Sequence, residues 1–285
     1  MDLSTKTSAE DGPQLKHKVS SVSPTHRQSG CLAPDWPAPG GALLELHQVT
    51  KVFDGKVVAL NGISFQMAKG EFLILAGSNK AGKTTLLRLI ASEDRPTGGA
   101  ILFDRFDSRT MRRKEVPLLR RKMGRIFPDF RLIDHLNVFD NVALSLRILN
   151  KKEKLIKRRV SEVLGRVGML GANRRFPPSL SSAEKQRVAI ARALAGDPLL
   201  LLADEPTMNL DEESADEITA LLREVSLLGT AVLMAARHPR RCVGGWAEML
   251  RIDRGRLIKA GIRTWSDSSG RPVAPVCLQE QAIGI

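Results

Sequence analysis

Apolar and polar positions first fall into a regular pattern at Leu43. The stretch LLELHQVTKVF alternates between the two, Asp54-Gly55 supplies a turn, and VVALNGISFQM resumes the alternation, so an antiparallel pair of strands is predicted. EFLILAG follows as a short continuous apolar run of the kind that a sheet buries on both faces, and KTTLLRLIASE then switches to helical spacing. Strand, glycine-bounded loop and helix therefore succeed one another directly.

Between roughly Arg105 and Arg187 the chain reads as mostly helical and strongly basic, through RRKEVPLLRRKMGR, KKEKLIKRRVSEVLGRVGML and AEKQRVAIARALAG, which predicts a helical subdomain inserted into the sheet. PLLLLADEP and TAVLMAARH are two more buried strands flanking the helix SADEITALLREVSLLG, a βαβ order that implies parallel pairing. MLRIDRGRLIKAG reads as a closing hairpin. The expected organisation is a disordered extension over 1–42, rich in Ser, Pro, Gly and Lys, a folded domain over 43–265 with its helical subdomain at about 105–187, and a tail over 266–285.

Composition narrows the partners without choosing among them. The chain has 285 residues, room for one large α/β domain with its own core, and its 44 basic against 31 acidic residues give a formal charge of +13. That excess suits nucleotide phosphate, acidic lipid headgroups or nucleic acid. The three cysteines, Cys31, Cys242 and Cys277, lie far apart without metal-ligand spacing, so neither a disulfide framework nor a zinc site is indicated and a reducing cytoplasm fits. No apolar run approaches the length of a membrane span, and MDLSTKTSAEDGPQ lacks the apolar core of a secretory signal, so membrane association is expected to be peripheral.

The chemistry is concentrated in three places. Gly77-Ser78-Asn79-Lys80-Ala81-Gly82-Lys83-Thr84, continued by Thr85, satisfies G-x-x-x-x-G-K-[ST] between a predicted strand and a predicted helix. Glycines allow the loop to wrap phosphates with backbone N–H groups, the helix terminus adds partial positive charge, Lys83 reaches the β- and γ-phosphates, and Thr84 can ligate Mg²⁺. A plain glycine turn before a helix is the bland alternative, and the downstream partners argue against it. In LLLLADEPT, Asp204 and Glu205 end a buried strand: Asp204 would hold Mg²⁺, directly or through water, and Glu205 would polarise the attacking water as general base. Third, LSSAEKQRVAIARAL places Ser181 ahead of an amphipathic helix, which taken alone is a capped helix.

Together these stretches resemble the ATP-binding cassette ATPases, whose signature is L-S-G-G-x-x-Q-R. Leu180, Ser181, Gln186 and Arg187 match it, while Ser182 and Ala183 replace its two glycines. The resemblance implies an α/β fold of the P-loop NTPase class, with a parallel core sheet, an antiparallel β subdomain and an inserted helical subdomain. It also implies that Phe53 stacks on adenine, that Asn209-Leu210-Asp211 is the loop after the acidic strand, and that His238 contacts the γ-phosphate. ATP and Mg²⁺ are the implied ligands, and an ATP-dependent homodimer would bring Ser181 of one copy to the phosphate loop of the other.

Within the family, KEVPLLRRKMGRIFPDFRLI, NVFDNVALSL and RVAIARALAGDPLLLLADEPTMNLD are similar to the cell-division cassettes, over about Leu43 to Gly261. That likeness implies a motor at the cytoplasmic face of the bacterial inner membrane, bound to a polytopic membrane protein of the FtsX type and activating cell-wall hydrolases across the membrane. PDFRLIDHLNVFDN would face that partner, and the adjacent basic helices either meet anionic headgroups or form a solvated face. The motor of a lipoprotein-release or export system is the alternative within the family. A nucleic-acid-binding ATPase is the alternative outside it, and the absence of zinc spacing, long coiled-coil heptads and a second cassette, with few aromatics among the basic runs, speaks against specific nucleic-acid binding.

Several positions depart from the family pattern. Pro128 stands where the family carries a glutamine, Lys80 and Met208 replace glycines, and Arg237-His238-Pro239 stands where Thr-His-Asp is common. Proline offers no polar group and fixes φ. With Ser182 and Ala183 it predicts impaired hydrolysis, and a cassette that binds ATP but scarcely turns over is the other reading.

Overall fold

The structure is a computed structural model and describes residues 42–237 and 248–261, together with the strand pair 265–266 and 272–273. The expected extension over 1–42 and tail over 266–285 lie largely outside these residues. Two sheets organise the rest. Strands β1 (Leu44–Phe53) and β2 (Val57–Met67) form the expected antiparallel pair, and β4 (Gly98–Phe103) and β5 (Phe106–Asp107) extend it in the order β2-β1-β4-β5.

The second sheet carries the chemistry. It contains β3 (Phe72–Ala76), β6 (Met123–Ile126), β7 (Leu200–Asp204), β8 (Ala231–Ala236), β9 (Glu248–Asp253) and β10 (Arg256–Gly261), in the order β10-β9-β3-β8-β7-β6. All neighbours pair in parallel except the β9–β10 hairpin. The unbroken apolar runs of β3, β7 and β8 follow from coverage on both faces, because successive side chains point to opposite sides. Phe72, Ile74, Leu201, Ala203, Val232 and Met234 face a core shared with α3 (Val138–Ile148), α4 (Glu153–Arg166), α5 (Ser182–Leu194) and α6 (Glu212–Leu227). Leu73, Leu75, Leu200, Leu202, Leu233 and Ala235 face the other core, built with the antiparallel sheet and α1 (Lys83–Ile90).

One expectation needs correction. The basic stretch RRKMGRIF, read as helical, leaves the short helix α2 (Val116–Arg121) and becomes the edge strand β6, paired in parallel with β7. Gly124 decides this locally, since a Cβ there would meet the Ala193 carbonyl oxygen at 2.7 Å, so the strand can lie against α5 only with glycine at that point. The sheet thus continues into the region expected to be helical.

At the end of the sheet opposite the chemistry, Glu71 precedes β3 and accepts the Ala68 N–H at 2.6 Å. Burial pushes its carboxyl up to about 7, helped by a hydrogen bond and charge repulsion from Glu248, against the lowering effect of the Ala68 N–H. The folded chain therefore binds a proton that the unfolded chain releases near pH 4.5. Stability from this site is full below that pH and falls as pH rises towards 7. Glu71→Gln keeps the acceptor for Ala68 and removes the titration, so we expect it to raise stability at pH 8 by about 2 kcal/mol. Urea unfolding of both chains at pH 5 and pH 8 measures this, and an equal difference at the two pH values would refute it.

Candidate functional site

The site lies where β3, β7 and β8 end together. Gly77 leaves β3 with its N–H on the Ala236 carbonyl at 3.2 Å, and a Cβ on it would meet the Ile252 carbonyl oxygen at 2.4 Å. At the other end of the loop, Gly82 has φ +110 and a Cβ there would meet the Ala59 carbonyl oxygen at 2.7 Å. Both glycines are therefore required by backbone approach. Lys80 takes φ 63 on an exposed part of the loop, a conformation that costs an L-residue about 1 kcal/mol or more.

Gly82 also begins α1, and that start lacks a side-chain cap and any acidic residue in its first turn. The N–H groups and the positive end of the helix dipole thus open onto the loop without a side-chain cap. Lys83, 3% exposed, folds back over the loop: its Nζ donates to the carbonyls of Gly77 at 2.7 Å and Ser78 at 3.0 Å, and lies 3.3 Å from Glu205 Oε1. Ser78 and Asn79 are exposed, Ala81 is buried, and Thr85 is half-buried. A loop with two forced glycines, an uncapped helix start and one buried ammonium is built to take an anion.

The acidic strand end meets this loop. Thr84 Oγ1 donates to Asp204 Oδ1 at 3.2 Å, joining α1 to β7. Burial pushes the Asp204 carboxyl above its usual range, and the neighbouring Glu205 charge adds to this, while Thr84, Arg125 and Lys83 oppose it. A hydroxyl beside a buried carboxylate is a set of hard oxygen donors that fits Mg²⁺, which takes one or two protein ligands and fills the rest of its shell with water and phosphate. Glu205 has φ 47, its N–H bonds the Ala235 carbonyl at 3.1 Å, and its Oε2 accepts from Arg237 Nε at 2.5 Å. Arg237 contact with the acid was not anticipated from sequence, because the two residues end different strands and meet only through sheet order.

The remaining expected site residues belong to other elements. Phe53 ends β1 half-buried, opposite Val57, on the hairpin whose second strand supplies the Ala59 carbonyl against Gly82; Lys51 Nζ sits 4.8 Å from its ring centroid. Ser181 is exposed on a separate element as N-cap of α5, where its Oγ accepts the Glu184 N–H at 3.2 Å and Glu184 Oε2 accepts the Ser181 N–H at 2.8 Å. This capping box uses an oxygen lone pair of the Ser181 hydroxyl. Ser182 and Ala183 form the first turn of α5. His238 lies outside the described residues.

Pro128 sits in a fixed loop between β6 and α3. Its carbonyl accepts from Asn209 Nδ2 at 3.0 Å, so the loop after the acidic strand is joined to it through backbone. Arg192 donates to the carbonyls of Phe130, at 2.7 Å, and Arg131, both of which take positive φ. Asn141, 1% exposed, organises the continuation by accepting the Ile133 N–H and donating to the carbonyls of Ile133, Leu136 and Asn137. The Pro128–Asn209 contact was likewise not legible in sequence.

Comparison with known proteins places the chain in a family. The family model for ABC transporters matches residues 60–208. The cell division ATP-binding protein FtsE of Bacillus subtilis is 42% identical over 196 residues, 69% of this chain and 86% of that protein. FtsE of Escherichia coli K12 is 44% identical over 215 residues, 75% of this chain and 97% of the relative. Among solved structures, the dimeric post-hydrolysis state of the ATP-binding cassette MJ0796, bound to ADP and Pi, superposes with a TM-score of 0.68 at 29% identity, covering 76% of this chain and 97% of that one. The chain therefore belongs to the ABC transporter family, as an ATP-binding cassette ATPase.

Proposed function

We propose that this chain is the ATP-hydrolysing motor of a membrane complex in bacterial cell division, driving an FtsX-like polytopic membrane protein from the cytoplasmic face. The observation that carries the motor reading is the meeting of loop and acids: Lys83 touches both the phosphate loop and Glu205, and Thr84 touches Asp204. The division role is supported by the likeness to proteins named FtsE over nearly their whole length. No helix among the described residues is long and apolar enough to cross a membrane, which is consistent with docking on a partner.

The residues divide the work. Gly77 to Thr85 cradle the triphosphate with backbone N–H groups, and Lys83 neutralises it. Phe53 stacks on the base. Thr84 and Asp204 would hold Mg²⁺, which would supply positive charge to offset that of the phosphates. Glu205 accepts the proton of the attacking water, and His238 is assigned to the γ-phosphate. Ser181 reaches the nucleotide of a second copy in an ATP-dependent homodimer, a reading supported by its exposure and by the dimeric MJ0796 cassette. The loop from Pro128 to Asn137, braced by Arg192 and Asn141, is the surface offered to the membrane partner.

Two substitutions test the motor. Glu205→Gln removes the base and keeps the shape, so Mg²⁺-ATP turnover should fall by about 10²–10⁴-fold while ATP still binds; unchanged turnover would remove Glu205 from the reaction. Pro128→Gln restores a polar side chain and leaves the carbonyl that Asn209 uses, so turnover should rise several-fold. A fall instead would show that the fixed loop favours hydrolysis.

A further inference from the structure

Glu205 offers its two carboxylate oxygens to two different cations. Oε2 takes the Arg237 Nε hydrogen bond at 2.5 Å, and Oε1 lies 3.3 Å from Lys83 Nζ. The two cations differ in their freedom to leave. Lys83 stands within the phosphate loop, where a bound phosphate competes with Gly77, Ser78 and Glu205 for its three ammonium protons. Arg237 follows β8, outside the loop, and its Nη2 also contacts Met208 Sδ at 2.8 Å.

That second contact makes Arg237 a brace. The Met208 N–H donates to the Glu205 carbonyl at 3.1 Å, closing the turn that Glu205 enters with φ 47. Arg237 spans this turn from the side chain of Glu205 to the side chain of Met208. A planar guanidinium can serve both at fixed angles, whereas a lysine ammonium supplies charge without the fork.

We propose that Arg237 is the positioning residue for Glu205: it retains Oε2 while Lys83 turns to phosphate, so that Oε1 is the oxygen presented to the attacking water. In that step the water oxygen forms the new bond to the γ-phosphorus, the bond to the bridging oxygen breaks with its electron pair passing to ADP, and the water proton goes to Oε1. The inference rests on the hydrolytic reading above and assigns each oxygen of its base a separate partner.

Steady-state kinetics of Arg237→Ala and Arg237→Lys, alone and in the Glu205→Gln background, test this, with thermal unfolding and fluorescent-ATP binding establishing that each chain folds. Arg237→Ala should lower kcat about tenfold at unchanged KM for Mg²⁺-ATP, and Arg237→Lys should recover part of the loss. In the Glu205→Gln background the same substitution should leave the residual turnover unchanged, because the group it positions is already gone. Equal or higher kcat in Arg237→Ala, a fall accompanied by a matching rise in KM, or a full additional loss in the Glu205→Gln background would each overturn the proposal. A wild-type chain that binds ATP without hydrolysing it would overturn the hydrolytic reading and this inference with it, whereas a hydrolysing wild type whose kcat is not lowered by Arg237→Ala overturns this inference alone.

Discussion

A single ammonium group, almost wholly withdrawn from water, ties the site together. Burying a charge costs several kcal/mol unless partners replace its hydration, and Lys83 finds them in two loop carbonyls and the Glu205 carboxylate. The loop curls around the ammonium because Gly77 and Gly82 let backbone approach backbone, and the acidic strand end is drawn to the same point. A phosphate can take over these donors at little cost of reorganisation, since the cradle is already shaped and its helix start already uncapped.

The sheet makes that meeting possible. Parallel order places the ends of β3, β7 and β8 side by side, so residues far apart in sequence share one edge: the loop after Ala76, the acids at 204 and 205, and Arg237. From this edge, contacts lead outward through backbone. Asn209 bonds the Pro128 carbonyl, Arg192 holds the Phe130 and Arg131 carbonyls, and α5 carries both Arg192 and the Ser181 cap. The route from acids to helical layer thus passes through main-chain oxygens that a side-chain substitution at 128 leaves in place.

Much of this could be read from sequence wherever a local pattern carries the physics. Alternation announced β1 and β2, the glycine spacing announced the loop, and continuous apolar runs announced β3, β7 and β8 because both faces are covered. The strand β6 escaped because it is four residues long and sits in a run of arginines and lysines, with only Gly124 and Ile126 buried. Strands β4 and β5 were not anticipated either, although Ala100, Ile101 and Phe103 are buried after the two glycines. The contacts of Arg237 with Glu205 and of Asn209 with Pro128 depend on strand order and loop path, which no spacing encodes. Ser181 was legible as a helix cap, because a serine ahead of an amphipathic run with Glu184 three residues on is a local pattern.

The central claim is that the loop closed over Lys83 is the nucleotide site. Equilibrium binding of Mg²⁺-ATP to the wild-type chain and to Lys83→Ala tests it most directly. The account predicts saturable binding by the wild type and affinity weakened at least about tenfold in the variant, corresponding to roughly 1.4 kcal/mol or more for the lost charge-assisted contacts. Equal affinity in two folded chains would contradict it.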